Sequence, residues 1–313
     1  MQKISNQKLE RLLVFPKLVD ILEQAFQEEI IVPLRHHHLY ENPAMGMNST
    51  LLLMPAWKSD AYLGVKIVTV SPENGRLNLP VVQGIYLLFD TKTGVPVAQM
   101  DAKLLTSKRT AAASALASQF LSREESSTLL MIGTGALAPH LIAAHASVRP
   151  INKVLVWGRN EDKAQLIITQ LMDADFEIEV VENIEQGIAL ADIVSCATLS
   201  PKPLILGKWL NKGQHIDLVG SYLPHMREAD DEVIQRTSIF VDTMEGATRE
   251  SGDIVIPLEK GIIQRSDIQL DLFDLCKRKY SGRKSKNEIT LFKSVGHGLE
   301  DLAAAIYLYE AIK

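Results

Sequence analysis

Apolar and polar positions follow two different rhythms along this chain, and the change falls near residue 105. From about residue 128 to 243, short β-branched runs alternate with stretches of helix length. Strands are predicted at 129–132, 153–157, 177–181, 192–197, 215–219 and 238–241, and helices at 161–173, 184–190 and 228–236. Strand and helix in alternation build βαβ units, whose strands lie parallel. The expected fold class is α/β, with a Rossmann-type, doubly wound parallel sheet. Before residue 105 the pattern is mixed. Leu9, Leu12, Leu13, Leu18, Ile21, Leu22 and Ala25 recur at helical spacing. Strand-like runs then cover 30–34, 50–55, 62–70, 82–89 and 95–100, with turns at Asn74-Gly75 and Thr93-Gly94. This is an α+β segment with local connections. A long helix over 104–121 links the two halves, and a last helix over 299–312 follows Gly296-His297-Gly298.

The first strand of the alternating half ends in Gly133-Thr134-Gly135-Ala136-Leu137-Ala138. Two glycines one residue apart, then a small residue three further on, form a strand–turn–helix phosphate motif. Gly133 permits the turn, Gly135 lets backbone approach a pyrophosphate, and Ala138 lets the helix pack closely on the strand. The helix N-terminus adds unpaired N–H groups and a positive dipole end. A nicotinamide dinucleotide is the expected cofactor. By the same fold rule, the backbone of Ala197-Thr198-Leu199 and of Val219-Gly220-Ser221, after the fourth and fifth strands, should wall the cofactor cleft. The second strand ends in Gly158-Arg159-Asn160, where NAD enzymes place an acid for the ribose 2′-hydroxyl. With no acid there, Arg159 is placed to meet a 2′-phosphate. NADPH is therefore expected, with NADH the alternative.

The chain has 313 residues, 46% apolar and 23% charged, with a net charge of −5. These are ordinary values for a globular protein and exclude the basic face that nucleic-acid binding requires. No apolar stretch approaches the roughly 20 residues of a membrane span. The opening residues lack a signal-peptide pattern, so a cytoplasmic location is expected. Cys196 lies in an apolar run and reads as a buried core thiol. His36-His37-His38 resembles a metal tract without partners at ligand spacing, so exposure to solvent and no metal are expected.

Five motifs in order resemble one family. They are Asn48-Ser49-Thr50-Leu51, Met54-Pro55-Ala56, Lys108-Arg109-Thr110-Ala111-Ala112, Glu250-Ser251-Gly252-Asp253 after the last sheet strand, and Phe292-Lys293-Ser294-Val295-Gly296 with Glu300-Asp301 opening the final helix. Together they resemble the ornithine cyclodeaminase/mu-crystallin family over almost the whole chain. The resemblance implies a homodimer and two domains. Residues 1–108 with 297–313 would bind substrate and dimerise, the C-terminal helix returning to the first domain, and 109–296 would bind the dinucleotide. It implies that Arg35 and Arg109 hold a substrate carboxylate, for which a planar fork of donors is suited. A salt bridge is the alternative for each. It implies that Lys66 binds substrate and donates a proton; read from the strand alone, Lys66 would face solvent. It extends the cofactor contacts to Arg109, Thr110, Ser294, Val295 and Gly296. Asp253 and Glu300 match the motifs, yet capping and turn roles explain both. His297 would either lie against the nicotinamide or cap a helix.

One departure discriminates between activities. Cyclodeaminases and alanine dehydrogenases of this family carry an acid/base aspartate two residues after the glycine at position 220, where this chain has Tyr222. Cyclodeamination needs a group that accepts and returns protons; reduction of a preformed C=N needs one proton and one hydride. The expected activity is NAD(P)H-dependent reduction of cyclic α-imino acids, Δ1-pyrroline-2-carboxylate or Δ1-piperideine-2-carboxylate. The alternatives are an alanine-dehydrogenase-like or cyclodeaminase activity, and a non-catalytic protein that binds NADPH and a small ligand.

Overall fold

The computed structural model describes residues 1–278 and 281–313. It divides into two compact units, Met1–Arg109 with His297–Lys313, and Thr110–Gly296. Arg109 thus falls in the first unit, one residue past the boundary expected from the sequence.

The first unit opens with β1 (Gln2–Lys3), α1 (Asn6–Leu12) and α2 (Phe15–Ala25). The single helical run read from the apolar spacing is two helices. Pro16 has no N–H and sits in the first turn of α2, so the chain breaks at Leu13-Val14. Then follow β2 (His36–Tyr40), β3 (Ser49–Trp57), β4 (Tyr62–Val70), β5 (Val82–Asp90), β6 (Pro96–Asp101) and α3 (Ala102–Leu121). The expected strand over 30–34 does not form; Pro33 interrupts the run, and only Ile31 bridges to Trp57. The histidine tract makes the edge strand β2 instead. Pro55 stays within β3 because it falls between the last β2 pair, His36–Leu53, and the Ile31–Trp57 bridge, where no N–H is required. The Asn74-Gly75 turn is part of a 3₁₀ segment, Pro72–Leu77.

The sheet order is β1-β6-β5-β4-β3-β2, antiparallel except for the β1–β6 pair. Alternation along the strands sends Met54, Ala56, Lys66, Val68, Tyr86, Leu88, Ala98 and Met100 to one buried face. The other face carries Leu51, Leu53, Val65, Ile67, Ile85 and Leu87, none of them fully buried. The C-terminal helix α11 (Gly298–Glu310) returns to this unit and packs on α2, β3 and β4.

The second unit contains β7 (Thr128–Ile132), α4 (Ala138–Val148), β8 (Lys153–Trp157), α5 (Glu161–Gln170), β9 (Glu177–Val180), α6 (Ile184–Leu190), β10 (Ile193–Cys196) and β11 (His215–Leu218). It continues through α7 (Asp231–Arg236), β12 (Ser238–Val241), α8 (Met244–Glu250), α9 (Gly252–Glu259), β13 (Ile268–Asp271), α10 (Leu272–Cys276) and β14 (Thr290–Lys293). Among the described residues this unit's eight strands are all parallel, in the order β13-β12-β14-β11-β10-β7-β8-β9. The chain winds outward from β7 in both directions, so this is a doubly wound Rossmann-type sheet with its switch point beside β7.

All six predicted strands are present, but 238–241 is not the last. β14 inserts between β11 and β12, and β13 forms the edge. The helix expected from 228 begins at Asp231, because Asp230 caps it through the Val233 N–H and Ala229 is extended in a bridge to Ile205. The apolar core runs through Leu130, Ile132, Val194, Cys196, Ile216, Leu218 and Leu291, with the Cys196 thiol in it as expected. Among the described residues no helix is long and apolar enough to cross a membrane.

Candidate active site

Lys66 is on the inward face of β4, between outward-facing Val65 and Ile67, and is 3% exposed. The solvent-facing alternative is therefore overturned. Its Nζ donates to Asp301 Oδ2 at 2.6 Å and lies 3.4 Å from Thr106 Oγ1. Burial disfavours the ammonium and pulls its pKa down to about 8, with Arg109 and Arg35 adding to the effect and Asp301 opposing it. Arg35, just before β2 and partly buried, thus lies within electrostatic reach of Lys66.

Arg109, on α3, is 4% exposed. Its Nε donates to Asp301 Oδ1 at 2.9 Å, and its Nη1 to Glu300 Oε2 at 2.6 Å. Glu300 is fully buried, so its expected capping role is replaced by an ion pair. Asp301 accepts from both cations, and they hold its pKa below the usual carboxylate range against the effect of burial. Lys66, Arg109, Glu300 and Asp301 thus form one buried cluster of two cations and two anions, drawn from β4, α3 and α11. Asp301 went unrecognised as a site residue in the sequence. Its signal is that two acids open a helix whose other residues, Leu299, Leu302, Ala303, Ala304 and Ala305, are apolar and buried. Such acids need buried counter-charges.

In the second unit, Gly133 has φ +117° and a Cβ there would sit 2.6 Å from the Ala197 carbonyl. Only glycine takes that backbone without strain. A Cβ on Gly135 would meet no protein atom within 4 Å. The loop of Thr134, Gly135, Ala136 and Leu137 therefore leaves open space over its second glycine, and α4 begins at Ala138, which is buried against the sheet. This is the cradle that a pyrophosphate fits. At the end of β8, Gly158 lies against the Thr134 side chain, Arg159 is exposed, and the Asn160 side chain caps α5 by accepting from the Lys163 N–H.

The loops after β10 and β11 are tied to Glu228, which accepts from the N–H groups of Thr198, Gly220 and Ser221. Leu199 is 72% and Tyr222 44% exposed at their tips. Val219 and Thr110 are buried, and the Ser221 hydroxyl donates to the Met226 carbonyl. Ser294, Val295 and Gly296 all donate to Asp242 Oδ2. Asp253 does not cap its own helix; it accepts the N–H groups of Glu228 and Ala229. Asp217 is buried and bonded to Ser114, Ser195 and His145. His297 occupies the N-cap position of α11, but its side chain makes no capping bond. His36 and His38 stand edge to face on exposed β2, and no group of three or more His, Cys, Asp or Glu among the described residues is placed to hold a metal ion.

The family model for the ornithine cyclodeaminase/mu-crystallin family matches residues 3–313. The chain belongs to that family. It is 45% identical to an uncharacterised protein of Schizosaccharomyces pombe, over 99% of this chain and 97% of that one. It is 36% identical to Delta(1)-pyrroline-2-carboxylate reductase of Colwellia psychrerythraea, over 100% and 99%. Among solved structures, Thermococcus litoralis Delta(1)-pyrroline-2-carboxylate reductase in complex with NADH and L-proline superposes with a TM-score of 0.90 at 35% identity, covering 99% of this chain and 97% of that one. An archaeal alanine dehydrogenase dimer with bound NAD also reaches 0.90, at 29% identity and 99% and 95% coverage.

Proposed function

We propose that this family member is an NAD(P)H-dependent oxidoreductase that reduces cyclic α-imino acids, taking Δ1-pyrroline-2-carboxylate to L-proline and accepting Δ1-piperideine-2-carboxylate as a second substrate. The observation that carries this reading is the buried Lys66–Asp301–Arg109 cluster, combined with Tyr222 in place of an acid. The first unit binds the imino acid. Arg35 and the second terminal nitrogen of Arg109, which its two ion-pair bonds leave over, hold the carboxylate. Lys66 Nζ supplies the proton to the imine nitrogen, and Asp301 keeps that nitrogen charged and aimed. The dinucleotide, when bound, supplies a hydride to the imine carbon, so the C=N bond becomes CH–NH with one proton and one hydride consumed. The cradle of Gly133 to Ala138, the loops 197–199 and 219–221, and the backbone near Thr110 and 294–296 form its binding region.

The activity of the Colwellia and Thermococcus relatives supports the choice of substrate. The experiment that tests it follows NADPH oxidation with each cyclic imino acid, against pyruvate plus ammonia, and follows ammonia release from L-ornithine. Oxidation with the five-membered ring and no ammonia from ornithine are expected; robust ammonia release sinks the proposal. Consumption of no reduced cofactor with any imine would favour the binding-protein alternative.

The cofactor is NADPH, through Arg159, with NADH used less well. Arg159→Ala is expected to raise KM for NADPH by about tenfold to a hundredfold, the loss of one charge-assisted contact, and to leave KM for NADH near its original value. Equal changes for both cofactors, measured by steady-state kinetics, remove Arg159 from phosphate recognition. The protein acts as a homodimer, for which the half-exposed apolar face of Leu51, Leu53, Val65, Ile67, Ile85 and Leu87 supplies the surface.

A further inference from the structure

The carboxyl ends of β10, β11 and β14 hold a second buried charge cluster that the reaction above leaves unused. Glu228, Asp253 and Lys293 are all fully buried. Lys293 Nζ lies 3.4 Å from Asp253 Oδ2 and 3.9 Å from Glu228 Oε2, and makes no hydrogen bond among the described residues. The two oxygens of Glu228 serve different loops. Oε1 accepts the Thr198 N–H at 2.7 Å and its hydroxyl at 3.0 Å. Oε2 accepts the Gly220 N–H at 2.7 Å and the Ser221 N–H at 3.2 Å. Asp253 Oδ1 in turn takes the N–H groups of Glu228 at 2.7 Å and Ala229 at 3.1 Å. The two loops touch, since a Cβ on Gly220 would overlap the Thr198 backbone.

We propose that Lys293, Glu228 and Asp253 are positioning residues for dinucleotide binding, with ionised Glu228 clamping the 197–199 and 219–221 loops together as one wall of the cofactor site. The inference rests on the dinucleotide reading given above. Neither loop has a regular backbone ladder at these N–H groups, so their placement depends on the acceptor between them. Only a carboxylate offers acceptors on both sides; an amide would turn an NH₂ group against one loop's N–H donors. A buried carboxylate without its cation is costly, and Lys293 supplies that cation. The groups facing Glu228 are Lys293 from β14, Asp253 from α9 and the Cys196 thiol from β10. Burial and Asp253 push the Glu228 pKa upward, and Lys293 holds it down.

The test is fluorescence titration of the full-length protein with NADPH, for the wild type, Glu228→Gln and Lys293→Met, at several pH values. Glu228→Gln is expected to weaken NADPH binding about tenfold or more, the consequence of mispairing at a buried acceptor. KM for the imino acid should stay near the original. Lys293→Met keeps the side-chain length and reaches the loops only through Glu228. It should bind NADPH nearly normally at about pH 8.5 and progressively less well toward about pH 6, as Glu228 without its cation takes up a proton and loses an acceptor. The wild type should be flat over that range. A folded Glu228→Gln that binds NADPH like the wild type overturns the proposal, as does a pH-independent Lys293→Met. If Glu228→Gln does not fold, the pH profile of Lys293→Met decides. A wild type that binds neither NADPH nor NADH overturns the dinucleotide reading itself, which separates the two failures.

Discussion

Replacing Asp301 by Asn is expected to lower imine reduction at neutral pH by about a hundredfold and to move the alkaline limb of the pH profile toward acid. Asp301 accepts from both Lys66 and Arg109. It is also the influence that raises the Lys66 pKa against burial and two nearby arginines. Without that carboxylate the Lys66 pKa falls below its present value of about 8. A group whose ammonium form donates the proton is active below its pKa. Lowering the pKa therefore empties the active form at pH 7 to 8 and restores it on acidification. Asp301→Asn should thus recover part of its rate as pH falls, in buffers where the wild type gains nothing. Breaking a buried pair also costs about 3–5 kcal/mol of stability, part of which neutralising Lys66 returns, so thermal unfolding should be measured alongside. Glu300→Gln is the control. Glu300 accepts from Arg109 Nη1, so this variant should raise KM for the imino acid and leave the pH limb in place. An unshifted limb in Asp301→Asn would show that Lys66 is not the titrating donor.

The parts of this molecule legible in the sequence are those with a local physical signal. The β-branched runs of the second unit stand out because buried parallel strands are nearly continuous in apolar residues. The glycine motif is legible because Gly133 needs a positive φ that few other residues tolerate. β14 escaped because it is four residues long and ends in Lys293, which reads as a solvent-facing end and is in fact fully buried. β2 escaped because an exposed edge strand of three histidines has no apolar alternation. The strand expected over 30–34 had the right composition and the wrong residue within it, Pro33. In the site, Arg109 and Lys66 were assigned through the resemblance, whereas Glu300 and Asp301, although part of a motif, were not recognised as their anionic partners. Lys66 and Asp301 are 235 residues apart, and Arg109 and Glu300 are 191 apart. No periodicity reports a pairing over such a separation. The same holds for Glu228, whose clamp on two loops depends on the sheet order that β14 completes.

Lys66→Met separates the chemistry from the scaffold. The substitution replaces a buried cation by an apolar side chain of similar length, and Asp301 keeps its bond to Arg109. Removing one partner of a buried pair costs about 3–5 kcal/mol, and the remaining Arg109 pairing of Asp301 reduces that cost, so thermal unfolding should be measured alongside. It should still bind the imino acid, because the carboxylate contacts belong to Arg35 and Arg109, and KM should change little. The expected loss is in kcat, by about a hundredfold to ten-thousandfold, the usual contribution of a positioned general acid. A proton at the imine nitrogen makes the adjacent carbon electrophilic, so the missing contact is one made chiefly in the transition state, and such contacts appear in kcat. The wild-type rate should fall as pH rises through about 8, where the Lys66 ammonium loses its proton. The residual rate of Lys66→Met should lack that limb and increase only as the imine takes its proton from solution at lower pH. A variant that keeps the wild-type kcat and the wild-type limb would assign the proton to another donor and leave Lys66 as the counter-ion of Asp301.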